Sequence, residues 1–213
     1  MCLFLAGLPA AWAEISAVVR PGHSFQTRAT SLANGTTRVA ASTDSQRRVL
    51  EICLDVLSDL RSWLPDAPNR AAILSHCKNE TDRALRFTPV DSYLWTVLAW
   101  LELDLGETQR ARDALETARA LAPDEMWLAA RRLPLSERLA ARGIPDQRAA
   151  QDADLLVLAQ SRSGIATLAR RYLDEPIFRD RITKLVATLT DEEQRRFVRN
   201  VRVETQIRQD PIP

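Results

Sequence analysis

The chain has 213 residues, of which 46% are hydrophobic and 27% are charged, and its formal net charge is +1. This length suits one domain of ordinary size with room for a tail, and the hydrophobic share argues against global disorder. Because the net charge is close to zero, no overall field favours nucleic acid or an anionic membrane. The composition therefore predicts a globular protein without a nucleic-acid partner.

Arginine supplies nearly all of the basic residues, since Lys78 and Lys184 are the only lysines. A codon bias towards arginine explains this most simply. A functional role as anion-binding guanidinium groups would require several arginines on one face of the fold. Pairs such as Arg195-Arg196 are instead interleaved with acidic residues, a pattern typical of a solvated helix face.

Residues 1–13 have the pattern of a secretory signal. An apolar run ends in small residues, with Ala11 and Ala13 in the places of an A-x-A cleavage site before Glu14. The usual basic residues before the run are missing, and the run is too short to span a bilayer. We therefore expect export, with no stable membrane insertion after the signal is removed. The alternative is that this segment is a short buried helix of the fold itself.

Residues 14–44 are rich in Ser, Thr, Ala and Gly, and they sustain neither a helical nor a strand period. Asn34-Gly35 is a turn signal, and Asp44 and Ser45 are candidate N-caps for the helix that follows. The sequence predicts a mobile leader or linker over this range.

Two helical patterns follow, at 45–63 and 69–87, joined by a turn with two prolines. Cys53 and Cys77 are equidistant from this turn, so an antiparallel helix pair places them at similar height. After signal removal they are the only cysteines, an even number that fits an oxidising compartment. The spacing permits a disulfide without proving it, because the Cα atoms must approach within about 7 Å while ordinary helix pairs lie about 8–10 Å apart. Two buried free thiols are the alternative.

The next two helices are predicted at 93–105 and 107–122. The first, capped by Asp91, is apolar nearly all round and must be covered on more than one side, whereas the second is amphipathic. Gly106 between them is the expected C-cap, where a positive φ is least costly.

The helical pattern continues with interruptions towards the C-terminus. The segment 124–142 contains Pro134, which should kink or split the helix, and Gly143 marks a stop. Further helical segments are predicted at 147–160, 164–173, 176–189 and from residue 190 onwards. The last opens with a capping box formed by Thr190 and Glu193. Because no strand-like alternation of useful length is present, the predicted fold class is all-α.

The segment 92–123 resembles one tetratricopeptide repeat. Apolar and small residues occupy the consensus places, namely Trp95, Leu98, Ala99, Ala111, Leu115, Ala118 and Pro123. Pro89 lies one period of about 34 residues before the last of these, although Glu102 replaces the usual aromatic residue of the first helix. The resemblance implies a short tetratricopeptide-like stack of helical hairpins over 45–142, with additional capping helices in 143–213.

In the tetratricopeptide family, ligands often lie on the concave face lined by the first helix of each repeat. The resemblance places five residues there, Tyr93, Thr96, Trp100, Leu103 and, in the next repeat, Trp127. Aromatic side chains in a groove are good anchors for a peptide or a partner helix. The alternative is that Trp100 and Trp127 are covered by the C-terminal helices. Trp95 is assigned to the core.

The layout also resembles small exported alphaproteobacterial proteins associated with exopolysaccharide production, through Pro89, Asp91 and Trp95 ahead of a helical tail. With two histidines in the chain, we identify no catalytic triad or dyad, phosphate-binding loop or metal-ligand spacing, so no catalytic residue, cofactor or metal is predicted. The sequence therefore predicts a non-enzymatic adaptor that binds a protein partner in the bacterial envelope, either periplasmic or secreted. The alternatives are a helical domain that binds a glycan or small molecule or acts on a glycan, and a cytoplasmic scaffold.

Overall fold

The computed structural model describes residues 24–63 and 69–209, and across these residues it contains ten helices and no strand. The predicted all-α fold class is therefore confirmed. The helices are α1 (Phe25–Ala33), α2 (Thr43–Trp63), α3 (Arg70–Phe87), α4 (Ser92–Leu105), α5 (Thr108–Leu121), α6 (Met126–Ala141), α7 (Gln147–Gln160), α8 (Gly164–Asp174), α9 (Pro176–Val186) and α10 (Asp191–Gln209). The signal-like segment 1–13 lies outside the described residues.

The chain divides into two compact units, Met1–Leu121 and Ala122–Pro213. The expected boundary after residue 142 lies further along the chain than the observed one. The reason is that α6 packs closely against α7 and so belongs with the C-terminal helices.

Helix α1 corrects the expectation of a mobile leader for residues 24–44, whereas residues 14–23 of that range lie outside the described residues. Ser24 caps this helix by accepting a backbone hydrogen bond, Leu32 is fully buried, and α1 packs on α2 and α3. The segment after it is also held, because Val39 is buried and its amide donates to the Glu80 carboxylate at 2.8 Å. The sequence signal was weak because polar residues make up more than half of α1 and Leu32 is its one buried residue.

Cys53 on α2 and Cys77 on α3 form a disulfide, with their Cα atoms 5.9 Å apart. Both residues are fully buried. The alternative of two free thiols is therefore wrong.

Helix α4 is the central helix of the first unit. It contacts α2, α3 and α5, as expected for a helix that is apolar nearly all round. Asp91 caps it with a side-chain hydrogen bond, and Gly106 ends it with a φ of 87°. Small residues allow α5 to approach closely, since Ala111 is buried and the Ser92 hydroxyl donates to the Ala118 carbonyl at 2.7 Å.

The second unit begins with α6, which runs through Pro134 as one helix instead of splitting there. Pro134 is exposed while Leu133 and Leu135 on either side are buried, so packing holds the helix together across the missing hydrogen bond. Residues of α6 to α10 share one apolar core, which consists of Ala129, Leu133, Leu155, Leu158, Ala159, Ile165, Leu168, Ala169, Ile182, Val186, Leu189 and Phe197.

A buried ion pair lies inside the second unit. The Arg132 and Asp154 side chains are exposed by 0% and 1% of their surface. Arg132 donates from Nε and Nη2 to Asp154 Oδ1 at 2.9 and 2.7 Å. It also donates to the carbonyls of Ala122 and Pro123 at 2.8 and 3.2 Å. One side chain therefore joins α6, α7 and the segment that leads into α6.

Candidate functional site

Three residues that were predicted to line an open groove are buried in the first unit. Tyr93, Thr96 and Leu103 are exposed by 2%, 4% and 0% of their surface. The Arg47 guanidinium lies 5.9 Å from the Tyr93 ring centroid, and the Thr96 hydroxyl donates to the Ser92 carbonyl at 2.9 Å. An open groove at these positions is therefore wrong, because α4 is packed against α2, α3 and α5.

The tryptophans of the predicted groove are partly exposed. Trp100 belongs to the first unit and Trp127 to the second, where the Arg131 guanidinium lies 5.2 Å from its ring centroid. A role for either ring in binding stays a prediction. Trp95, assigned to the core from the sequence, is only partly buried, and its indole N–H donates to the Pro89 carbonyl at 2.7 Å.

An open groove of about 550 Å³ lies in the second unit between α7 and α9. Helix α7 contributes Arg148, Asp152, Ala153 and Leu156 to its lining. Helix α9 and the residues after it contribute Ile177, Asp180, Arg181, Lys184, Leu185 and Thr188. On both helices the spacing is mostly three or four residues, which places each set on one helix face. The two faces form the walls of the groove.

The floor of this groove is apolar. Ala153, Leu156 and Leu185 provide aliphatic surface between the charged side chains of the two walls. Ile177, near the start of α9, is 88% exposed, more than any other large hydrophobic side chain of the described residues. Apolar lining beside a few polar and charged groups is the composition found in sites that bind another molecule.

Arg181 fixes the position of α9 against α7. Its Nε donates to Asp152 Oδ1 at 2.7 Å, its Nη1 to Gln151 Oε1 at 2.8 Å and its Nη2 to the Arg148 carbonyl at 3.2 Å. Gln151 in turn donates to the Ser136 carbonyl on α6 at 3.1 Å. These bonds hold the groove walls at a set distance, so the groove is largely preformed.

Three charged groups of the groove are available to a ligand. Arg148, Asp180 and Lys184 are exposed, and their side chains form no ion pair or hydrogen bond with another residue in the described part of the chain. Two cations and one anion therefore stand on the rims. Sequence reading missed this site, because the aliphatic residues of α7 and α9 look like any other core stripe until the packing of the neighbouring helices is known.

A second charged cluster lies between α3 and α4 in the first unit. Lys78 Nζ lies 2.9 Å from Asp82 and 3.3 Å from Glu102, whose side chain is 4% exposed. The hydrogen bond to Asp82, aided by that to Glu102, raises the pKa of Lys78 above its ordinary value of 10.5. The ammonium therefore stays charged at neutral pH, and the cluster stabilises the contact between the two helices.

Among the described residues, no group of three or more His, Cys, Asp or Glu side chains is arranged to hold a metal ion. Over the same residues, none of the helices combines the length and the apolar character needed to cross a bilayer.

Comparison with known proteins identifies no relative of this chain. No protein-family model matches the chain, and no curated protein or solved structure is significantly similar to it. Any functional assignment therefore depends on the geometry of the chain's own residues.

Proposed function

We propose that this chain is a non-enzymatic helical adaptor whose second unit binds a helix of a protein partner in the groove between α7 and α9. The observation that carries the proposal is an apolar floor, with Ile177 exposed at its edge, between charged rims on two helices. In this mode of recognition the apolar face of an amphipathic helix lies in a groove, and side chains spaced three and four residues apart act as anchors.

The dimensions of the groove indicate a short partner segment. From Arg148 to Leu156 the α7 wall extends about 12 Å at the helical rise of about 1.5 Å per residue. A partner helix of two to three turns therefore fills it. Arg148 and Lys184 outnumber Asp180 on the rims, which favours a partner helix with acidic residues beside its apolar stripe.

Binding of a glycan or another small molecule is the second candidate. The groove volume of about 550 Å³ lies within the range of small-molecule sites. None of the described lining residues is aromatic, however, so the groove offers no ring on which a sugar could stack. An open groove with an aliphatic floor suits a helix better.

An envelope location with a link to exopolysaccharide assembly is part of the proposal. The disulfide between Cys53 and Cys77 supports an oxidising compartment, such as the periplasm. Mass spectrometry of the protein from its native host separates the alternatives. A mature chain that begins at Glu14 supports export, whereas an intact Met1 supports a cytoplasmic scaffold.

Site-specific photo-cross-linking tests the groove. A cross-linking amino acid at Ala153, on the groove floor, should capture one protein in host extract, while the same amino acid at Ala120, exposed on α5, should not. A peptide that spans the captured helix should then bind the purified chain. Ile177→Ser should weaken that binding about tenfold, the effect of losing one buried aliphatic side chain.

Val90→Ser is the matched control for Ile177→Ser, because Val90 is 75% exposed in the first unit. It should leave the affinity unchanged. Equal cross-linking from positions 153 and 120, or equal weakening by the two serine variants, would contradict the proposal. A glycan or metabolite that protects position 153 in place of a protein would favour the second candidate.

A further inference from the structure

The fold divides the arginines of α10 into two sets. Arg196 donates to the Gln160 carbonyl at 2.8 Å, and Arg208 pairs with Asp174 at 2.8 Å, so both help to attach α10 to the second unit. The other set consists of Arg195, Arg199 and Arg202. These three are exposed, and the described residues offer their side chains no ion pair or hydrogen bond.

The three free arginines lie on one face of α10. They are four and three residues apart, so at about 100° per residue they fall within an arc of about 60°. They span about 10 Å along the helix at its rise of about 1.5 Å per residue. With Asp191, Gln194 and Val198 they line a shallow concavity of about 460 Å³. The clustering on one face that anion binding requires is therefore present.

Exposed aliphatic side chains flank the three arginines. Val198, Val203 and Ile207 are exposed by 46%, 54% and 51% of their surface, whereas Phe197 on the opposite face is buried at 6%. The core of the second unit therefore does not use the outer face of α10. Guanidinium groups beside exposed aliphatic side chains match two components of a bilayer surface, the anionic headgroups and the apolar boundary beneath them.

We propose that the outer face of α10 binds the anionic surface of a phospholipid bilayer. The guanidinium groups of Arg195, Arg199 and Arg202 contact lipid phosphates, and the flanking Val203 and Ile207 enter the headgroup region. Guanidinium groups match phosphate geometry through paired N–H donors. The proposal is independent of the groove between α7 and α9.

Other polyanions fit this face less well. Single-stranded nucleic acid is bound mostly by stacking on aromatic rings, and the exposed large hydrophobic residues of α10 are aliphatic. Acidic residues at the helix start, Asp191 and Glu192, confine the positive surface to the later turns.

The expected binding is peripheral and sensitive to salt. Each basic side chain near an anionic bilayer strengthens binding by about fivefold, so three together contribute on the order of a hundredfold. Salt weakens this attraction because the screening length falls to about 8 Å at physiological ionic strength. The aliphatic flanks should contribute a smaller part that resists salt.

Vesicle co-sedimentation of the full chain tests the proposal. The chain should bind vesicles of phosphatidylcholine containing one-third phosphatidylglycerol and should not bind pure phosphatidylcholine. Arg195→Gln/Arg199→Gln/Arg202→Gln should lower the affinity about a hundredfold. The control Arg86→Gln/Arg110→Gln/Arg162→Gln removes the same charge from exposed positions elsewhere and should leave the affinity nearly unchanged. Circular dichroism verifies that both variants are folded.

Several results would overturn the proposal. The first is the absence of binding to anionic vesicles, and the second is an equal loss of affinity in the two triple variants, which would indicate a general charge effect. Tighter binding to inorganic pyrophosphate, to duplex DNA or to an acidic peptide than to the vesicles would also count against a bilayer. Val203→Ser/Ile207→Ser should abolish the salt-resistant part, and its retention would remove the aliphatic contacts from the proposal.

Discussion

The ion pair between Arg132 and Asp154 is the sharpest test of how the second unit is held together. Asp154→Asn keeps the shape of the side chain but removes its charge. The guanidinium of Arg132, which is fully buried, then keeps its own charge without an anionic partner. The Ala122 and Pro123 carbonyls still accept its hydrogen bonds. We therefore expect a large but incomplete loss of stability.

The structure sets the expected size of this effect. Removing one partner of a buried ion pair destabilises a protein by about 3–5 kcal/mol. The two retained carbonyl contacts place Asp154→Asn near the lower end, at about 3 kcal/mol. The double variant Arg132→Leu/Asp154→Leu should recover about half of this loss because neither charge remains buried. It should still be less stable than the wild type by about 1–2 kcal/mol, since both carbonyls lose their donor.

Hydrogen exchange measured by mass spectrometry is the suitable assay, because a chain with two compact units need not unfold in one step. The slowest amides of α6 and α7 should exchange about a hundredfold faster in Asp154→Asn, as expected for a loss of about 3 kcal/mol. Peptides of α3 and α4 provide the internal reference and should be unaffected. Unchanged protection of α6 and α7, or a double variant that is less stable than the single one, would refute the reasoning.

Two further predictions concern the disulfide and the start of α10. Cys53 and Cys77 are 24 residues apart, and closing a loop of this size stabilises the folded state by about 3.5 kcal/mol on the chain-entropy estimate. Cys53→Ala/Cys77→Ala should lower the free energy of unfolding of the first unit by about this amount, measured from the slowest-exchanging amides of α3 and α4, and a change below about 1 kcal/mol would contradict the estimate. At the start of α10 the Thr190 amide donates to the Glu193 carboxylate at 2.9 Å, which confirms the predicted capping box. This bond, aided by the Thr190 hydroxyl, lowers the pKa of Glu193 below its ordinary value of 4.5. The cap should therefore be intact above pH 4.5 and should be lost as the pH falls through the lowered value. The NMR chemical shift of the Thr190 amide should change with this titration in the wild type but not in Glu193→Gln. A chemical shift that does not change with pH in either protein would rule out the cap.

Much of the helix pattern could be predicted because its signals are local. Asp91 and Gly106 bracket α4 through side-chain and positive-φ capping, and the capping box at Thr190 marks the start of α10. Helix α1 was not predicted because its composition is polar. It is stabilised by packing against α2 and α3, where its one buried side chain, Leu32, lies. Pro134 predicted a kink or a split, but α6 continues through it because the neighbouring residues Leu133 and Leu135 are buried.

Local sequence patterns were enough to predict the helical class, most helix boundaries and the pairing that the spacing of Cys53 and Cys77 allowed. Caps, helical period and turn residues act over a few neighbouring positions, so they can be read without knowing the rest of the fold. Which helix faces are exposed became known from the packing of the helices, which buries Tyr93, leaves Ile177 exposed and gives Arg196 but not Arg195 a hydrogen-bond partner among the described residues. The exposure of a helix face depends on which distant segment packs against it, and no local pattern contains that information.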